Sequence, residues 1–470
     1  MSGAAGGGRS DLTVGTVPSL VRRLAIPAST GFLFNTLYNL VDTWVAGRWS
    51  ATALAGLSAS FPVFFIIIAA SVGAGQGATV LIGNALGRGE PAAARRLVPQ
   101  ALLLALLVGA LISAVGLALA RPMYAVIGLQ GEALGFGLDY IRPTLAGAVL
   151  FVLNAILNAV LTAQGDTVSN RNALIVGSFA NAGLAPWLMW GGFGMPRLGM
   201  SGIALATLTI QAATASYLAW RCRGSPLLAA TRVRALDWRP HGRLLVELLR
   251  QGLPAGLNLV LIGAGIFIIT SFAGRHGEAV VAAYGAAIRI EQLVLLPTIG
   301  LNVATLALVA QNAGAGRFDR VVTVYRTGVG YGVGLMASGG VLLWLAAPWL
   351  AAQFARTAEV VAHVTTYLRI EVFTLCAYAL IMQSVALMQG LKRPLFGLAV
   401  HGTRHFLAPV PVFWLLDVGL GLGPRGIWFG ILLITWSSAL VATGFALHYL
   451  RRTLRTATAL APPACVPDDA

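Results

Sequence analysis

The chain of 470 residues repeats itself at a fixed offset of 227, and this repeat limits the possible folds more than any single motif does. Pro27-Ala28 recurs as Pro254-Ala255, and Ala46-Gly47-Arg48 recurs as Ala273-Gly274-Arg275. Ala55 and Ala59 match Ala282 and Ala286, Gly73 matches Gly300, and Gly87 and Gly89 match Gly314 and Gly316. Tyr140 and Arg142 still match Tyr367 and Arg369, so the register survives to the far end of the half. A duplicated unit of this size predicts two similar halves packed against each other.

Each half holds six apolar segments of about 20 residues or more, the length that crosses the hydrocarbon core of a bilayer. They lie near 24–46, 51–84, 98–119, 135–163, 170–191 and 201–221, and again near 245–272, 279–312, 325–350, 360–389, 395–418 and 426–450. The segments 51–84 and 279–312 exceed one span, so they must tilt, kink or project, with Pro62 and Pro297 as kink points. Composition agrees: 57% of residues are hydrophobic, 10% are charged, and the mean hydropathy is +0.80. A soluble domain carries about a quarter charged residues, so most of this surface faces lipid and no sizeable water-facing domain fits.

The net charge of +16 could suggest nucleic acid, but its distribution argues against that. Of 32 Lys and Arg, 22 fall in alternate connections on one side, among them Arg88, Arg95, Arg96, Arg317, Arg320 and Arg326. This is the positive-inside pattern, which puts that side and both termini in the cytoplasm and makes anionic lipid, not nucleic acid, the basic residues' partner. Six spans per half is an even number, so the repeats share one orientation about an axis along the membrane normal. The expected fold is an all-α integral membrane protein of twelve transmembrane helices in two pseudo-symmetric six-helix lobes. Its expected parts are a disordered cytoplasmic lead (1–20), a first lobe (21–221), a basic cytoplasmic linker (222–244), a second lobe (245–450) and a cytoplasmic tail (451–470). Cys222, Cys376 and Cys465 show neither metal-ligand nor disulfide spacing. Duplicated membrane domains are a main architecture of secondary transporters.

A carboxylate inside a spanning helix is costly, and so is a functional candidate by default. Asp42 lies in the first segment with Asn35 and Asn39 at spacings that put all three on one helix face, and Tyr38 adds a hydroxyl nearby. Burial disfavours the charged acid and hydrogen bonds favour it, so such a group can load and release a proton. The alternative is a structural Asp satisfied by its Asn neighbours. Asn154, Asn158 and Thr162 form a second stripe on the fourth segment, with Asn181 on the fifth and Thr207 on the sixth. Each is explained singly by helix–helix hydrogen bonding, and together they would surround one carboxylate. Ile269 stands where the second half would repeat Asp42. That half carries its ionisable residues elsewhere, with Arg289 and Glu291 in the eighth segment and Arg369 and Glu371 in the tenth. These and Arg142 are read as snorkelling or paired near helix ends. His401, Arg404 and His405 cluster in the eleventh, read as a hydrated group near the cytoplasmic mouth; without an accompanying acid or Cys no metal site is expected. A Walker A sequence, a nucleophile constellation and paired catalytic acids are all missing, so neither an enzyme nor a cofactor is expected.

The run NLVDTWVAGRWSATALAGLSASFPV closely resembles the first two helices of the multidrug and toxic compound extrusion (MATE) family. QGDT at Gln164–Thr167, AAYGAAIRIEQLVLLPTIGL followed by LVAQNAGAG, and MQGLKRP resemble further family segments. The similarity runs from about 20 to 450 and is nearest the proton-coupled, DinF-like branch. The resemblance implies that Asp42 is the proton carrier and that Tyr140, Asn158, Asn181 and Thr207 belong to its polar network. Many members carry Asp-Pro in the fifth helix, whereas this chain has Ala185-Pro186, leaving Asp42 alone. The acids that resemble the sodium site of another branch are replaced by Ile262 and Tyr378, which favours H⁺ over Na⁺. The expected protein is a monomeric multi-pass exporter in the cytoplasmic membrane, exchanging protons for small, amphipathic, cationic organic compounds. A lipid-linked saccharide flippase of the wider superfamily and a sodium-coupled antiporter are the alternatives.

Overall fold

A computed structural model describes residues 11–229, 235–354 and 357–459. The first half runs α1 (Val17–Trp49), α2 (Ala51–Gly87), α3 (Pro91–Ile127), α4 (Gly131–Ala146), α5 (Ala148–Ala163), α6 (Val168–Trp190) and α7 (Met200–Arg223). A short α8 (Pro226–Ala229) and a 3-10 turn (Ala235–Trp238) follow. The second half runs α9 (Gly242–Gly274), α10 (Glu278–Gly314), α11 (Phe318–Phe354), α12 (Ala358–Glu371) and α13 (Leu375–Gly390). Next come α14 (Leu395–Gly402), a π-helical turn (Thr403–Leu407), α15 (Pro409–Phe413), a second π-helical turn (Trp414–Gly419) and α16 (Pro424–Ala459).

The repeat carries through to the element boundaries. Shifted by 227, α2 maps onto α10, α3 onto α11 and α5 onto α13, end to end. Local chemistry sets the same ends: Ser50 caps α2 through Ala53 N–H, Pro91 opens α3, and Gly128 closes it with a positive φ of 81°. Eight helices are each long and apolar enough to cross a bilayer. Two bent pairs, α4–α5 at 48° and α12–α13 at 53°, each make one further span. The 33-residue α1 and the run 395–419 complete twelve. The two bends also obey the offset, because Gly147 in the first maps onto Thr374 in the second.

Each lobe has its own apolar core. Val45, Ile67, Tyr124, Ile141 and Met189 pack in the first, and Phe272, Tyr284, Tyr367, Phe413 and Trp428 pack in the second. Between the lobes, α1 lies on α10 and α2 on α9. The repeated Gly73 and Gly300 sit at these crossings. A Cβ on Gly73 would meet Gly252 O at 2.6 Å, and one on Gly300 would meet Ala25 O at 2.8 Å, so only glycine permits the approach.

Three boundary expectations change. The predicted disordered lead (1–20) is ordered from residue 11: α1 begins at Val17, and Leu12 is fully buried among Leu20, Leu24, Leu308 and Val321. Its apolar side chain gains a core and its backbone gains partners on the second lobe; residues 1–10 lie outside the described residues. The linker 222–244 does more than touch headgroups. Gln100 Nε2 donates to Asp237 O and Arg239 O at 2.8 Å each, Gln100 Oε1 accepts from His241 N, and Gln164 Oε1 accepts from Leu227 N. Buried amides therefore pin the linker to the first lobe, while Arg232 and Arg234 lie outside the described residues. The tail 451–470 begins as helix, since α16 continues to Ala459.

Candidate functional site

In the first lobe the site is built around Asp42, buried near the end of α1. Asn181 of α6 donates from Nδ2 to Asp42 Oδ1 at 2.7 Å. Tyr38, one turn before Asp42, donates its hydroxyl to Thr207 Oγ1 of α7 at 2.9 Å. Asn181 thus bonds the acid directly, and the Tyr38–Thr207 pair stands beside it, so three helices surround one carboxylate. Tyr140 of α4 is buried and close enough to Asp42 to feel its charge. Ala185, the position without the family's second acid, is fully buried in a small apolar cluster with Leu188 and Ala206. An ionised carboxylate in such surroundings costs several kcal/mol unless hydrogen bonds compensate.

Not every residue of the predicted network joins this centre. Asn35 and Asn39 share the α1 face with Asp42 but are exposed, and the Asn39 amide donates to Asn35 O instead. Steps of four and three residues leave these positions about 60° apart in the extreme, enough for one face to straddle the wall of a lobe. Asn154 turns to α7, where its Nδ2 donates to Gln211 Oε1 at 2.6 Å. Asn158 accepts from Thr162 Oγ1 and lines a small cleft with Ala28, Phe32 and Thr167. The stripe on α5 thus serves helix packing and the wall facing early α1, not Asp42.

The second lobe contains a polar centre that the sequence reading placed at helix ends. Glu291 of α10 and Glu371 of α12 are both buried, where snorkelling or pairing near helix ends was expected. Tyr367 donates to Glu291 Oε2 at 3.0 Å, while Tyr378 at 3.0 Å and Thr374 at 2.5 Å donate to Glu371 Oε1. Thr374 and Tyr378 follow Glu371 by three and seven residues, the spacing of one helix face, and across the bend between α12 and α13 both still reach its carboxylate. Arg404 is likewise buried inside the lobe, where a hydrated position was expected. Its guanidinium lies 4.3 Å from the Tyr378 ring centroid, bonds Thr435 Oγ1, and meets His405 Nε2 at 3.3 Å. The π-helical turn Thr403–Leu407 widens the helix here, and the His401 and His405 rings stack at 5.6 Å. Glu291, Tyr367, Tyr378, His401, Arg404 and Thr435 face one cavity of ≈ 170 Å³. Arg289 and Arg369 do stay at the surface, Arg369 over the Trp344 ring, and Arg142 is exposed as expected. The repeated pair Tyr140 and Tyr367 was the available signal, because each tyrosine lies beside its lobe's acid.

A family model for MatE matches residues 27–187 and 254–415, one match in each half. The chain is 30% identical over 318 residues to "Probable multidrug resistance protein YoeA" of Bacillus subtilis, covering 66% of this chain and 68% of that protein. It is 25% identical over 420 residues to "Probable multidrug resistance protein NorM" of Thermotoga maritima, covering 87% and 88%. A "FAD transporter" of Shewanella oneidensis is 28% identical over 318 residues, covering 66% and 69%. Among solved structures, a multidrug resistance MATE family transporter of the MOP superfamily in an outward-facing conformation superposes with a TM-score of 0.89 at 26% identity. That match covers 96% of this chain and 100% of the other. With both halves matched and the whole fold shared, the chain belongs to the MatE family of multi-pass membrane transporters, and it is not an enzyme.

Proposed function

We propose that this protein exports small organic compounds in exchange for protons, alternating access between its two lobes, with Asp42 as the proton carrier. Multidrug resistance proteins among its relatives support the substrate class. The observation that carries the coupling assignment is the buried Asp42 with Asn181 and the Tyr38–Thr207 relay around it. A protonated Asp42 is neutral and suits a closed, apolar lobe. An ionised Asp42 needs water or a cationic substrate beside it, so its protonation biases which state is favoured. Pro27 leaves α1 short of one backbone hydrogen bond and provides the place for that helix to bend. The reading includes both termini in the cytoplasm and a monomer as the working unit.

The experiment is efflux of cationic dyes from sodium-free vesicles under an imposed pH gradient, comparing the wild type with Asp42→Asn. Export that follows the gradient in the wild type and is lost in a well-folded variant supports the reading. Strict dependence on a sodium gradient refutes it. A second reading, favoured by the buried Glu291 and Glu371, places the coupling ion in the second lobe. It predicts that Glu371→Gln, and not Asp42→Asn, uncouples transport.

A further inference from the structure

At the end of the molecule where α1 begins, the lobes are joined by two hydrogen bonds that obey the 227-residue offset. Asn84 Nδ2 on α2 donates to Gly390 O, the last residue of α13, at 3.1 Å. Its repeat mate, Gln311 Nε2 on α10, donates to Ala163 O, the last residue of α5, at 2.9 Å. Terminal carbonyls of a helix have no partner inside it, so each amide satisfies a helix end belonging to the opposite lobe. Between the two bonds α2 and α10 touch backbone to backbone. A Cβ on Gly87 would overlap Gln311 O, and one on Gly314 would overlap Asn84 O.

One side of this crossing is fastened further. The backbone N–H of Leu12 donates to Gln311 Oε1 at 2.8 Å, and Asn312 Nδ2 donates to Leu12 O at 3.2 Å. Arg317 Nη1 donates to Thr13 O at 2.7 Å, and Arg320 Nη1 to Gly15 O at 3.0 Å. The segment 11–16 runs straight into α1 of the first lobe, yet it is held by the α10–α11 turn of the second. Gln311 therefore holds the first lobe with its nitrogen and this strap with its oxygen.

We infer that Asn84 and Gln311 are the positioning residues of a cytoplasmic gate, and that the strap 11–16 locks the Gln311 half. The inference rests on the alternating-access reading and on the basic residues' assignment of this end to the cytoplasm. Opening toward the cytoplasm breaks both cross-lobe bonds and pulls the Leu12 side chain from its pocket. The repeated glycines keep the gate tight, because any side chain there would hold α2 and α10 apart.

The test is a distance measurement between spin labels at Ala92 and Asp319. Both are exposed, stand at the starts of α3 and α11, and are related by the repeat. The labels are placed in full-length protein in lipid nanodiscs with the native cysteines replaced. The wild type should show a dominant short distance and a minor long one that responds to pH or substrate. Asn84→Ala with Gln311→Ala should raise the long-to-short ratio at least about tenfold, because it removes both amide–carbonyl bonds and the bond from Leu12 N–H to Gln311 Oε1. Leu12→Asp should raise it about fivefold by expelling the strap. Dye efflux should change with it, through a lower KM on the cytoplasmic side, which a merely weakened fold would not produce. An unchanged ratio in a monodisperse double variant overturns the gate, and an unchanged ratio in Leu12→Asp overturns the strap. A wild type with one distance under every condition refutes the alternating-access reading itself.

Discussion

The two lobes share a backbone plan but solve the problem of a buried acid in different ways. In the first, the acid stands on the lobe's leading helix, and Asn181 of α6 donates to it beside the Tyr38–Thr207 pair. In the second, the equivalent helix contributes Ile269 and the bare Gly265, against which His405 rests. The acids come instead from α10 and α12, and tyrosines hold them. Tyr140 and Tyr367 occupy repeat-related positions in both centres. Duplication thus preserved one tyrosine beside the buried acid of each lobe, while the charge moved to a different wall. A lone acid beside a relay of neutral donors is suited to taking up and releasing one proton. Two acids beside a guanidinium and two imidazoles form a more crowded network, in which removing one charge alters all the others.

This contrast can be broken experimentally, and the largest effect is expected at Asp42. Asp42→Asn should fold and insert while abolishing efflux driven by a pH gradient, whereas Glu371→Gln should leave that efflux within about tenfold of wild type. Vesicle assays with both variants at matched expression decide it. The reverse outcome would assign the coupling role to the second lobe.

Next come the tyrosines. Tyr378→Phe removes a direct donor to Glu371, whose other oxygen has no partner among the described residues, and should cost about 1–3 kcal/mol in thermal or denaturant unfolding. Tyr38→Phe removes a donor one step from Asp42, because its hydroxyl serves Thr207. It should cost less, about 0.5–1.5 kcal/mol. Equal costs would mean that the two centres are held alike after all.

The smallest difference concerns the repeat itself. Gly73→Ala and Gly300→Ala each press a methyl group into the opposite lobe's backbone, so both should destabilise by about 1–3 kcal/mol and by nearly the same amount. A large inequality in their melting temperatures would show that the pseudo-symmetry is only approximate at the crossing. Gly285→Ala, where the added methyl meets open space, is the control.

Much of this molecule is written plainly in the chain. Apolar length determines the spans, and the 227-residue repeat pairs them, because a lipid-facing helix must satisfy its own backbone and so announces itself in composition. Asp42 was legible for the same reason, as an acid with no excuse to be in an apolar run. Its partners were partly so: Asn181 and Thr207 converge on it, while Asn154 and Asn158, equally polar and equally periodic, turn to α7 and to early α1. Spacing gives a residue's angle on its own helix but not which neighbouring helix that angle meets.

Glu291, Glu371 and Arg404 show where tertiary structure decided. Each lies near other charges in sequence and reads as snorkelling, paired or hydrated near a helix end or the cytoplasmic mouth. A bend after Glu371 and a π-helical turn at Arg404 bring them into one buried cluster, in which Glu291 and Arg404 face the cavity and Glu371 joins through Tyr378. The same holds for Leu12, which reads as part of a loose lead until a pocket on the other lobe receives it. The sequence by itself determined how many helices cross the bilayer and that the two halves are alike, since hydrophobic length and periodicity are properties of neighbouring residues. Only the packed molecule determined which acids share a site and which residues seal the lobes, since those contacts join residues far apart in the chain, and their geometry follows from bends and crossings set by the whole bundle.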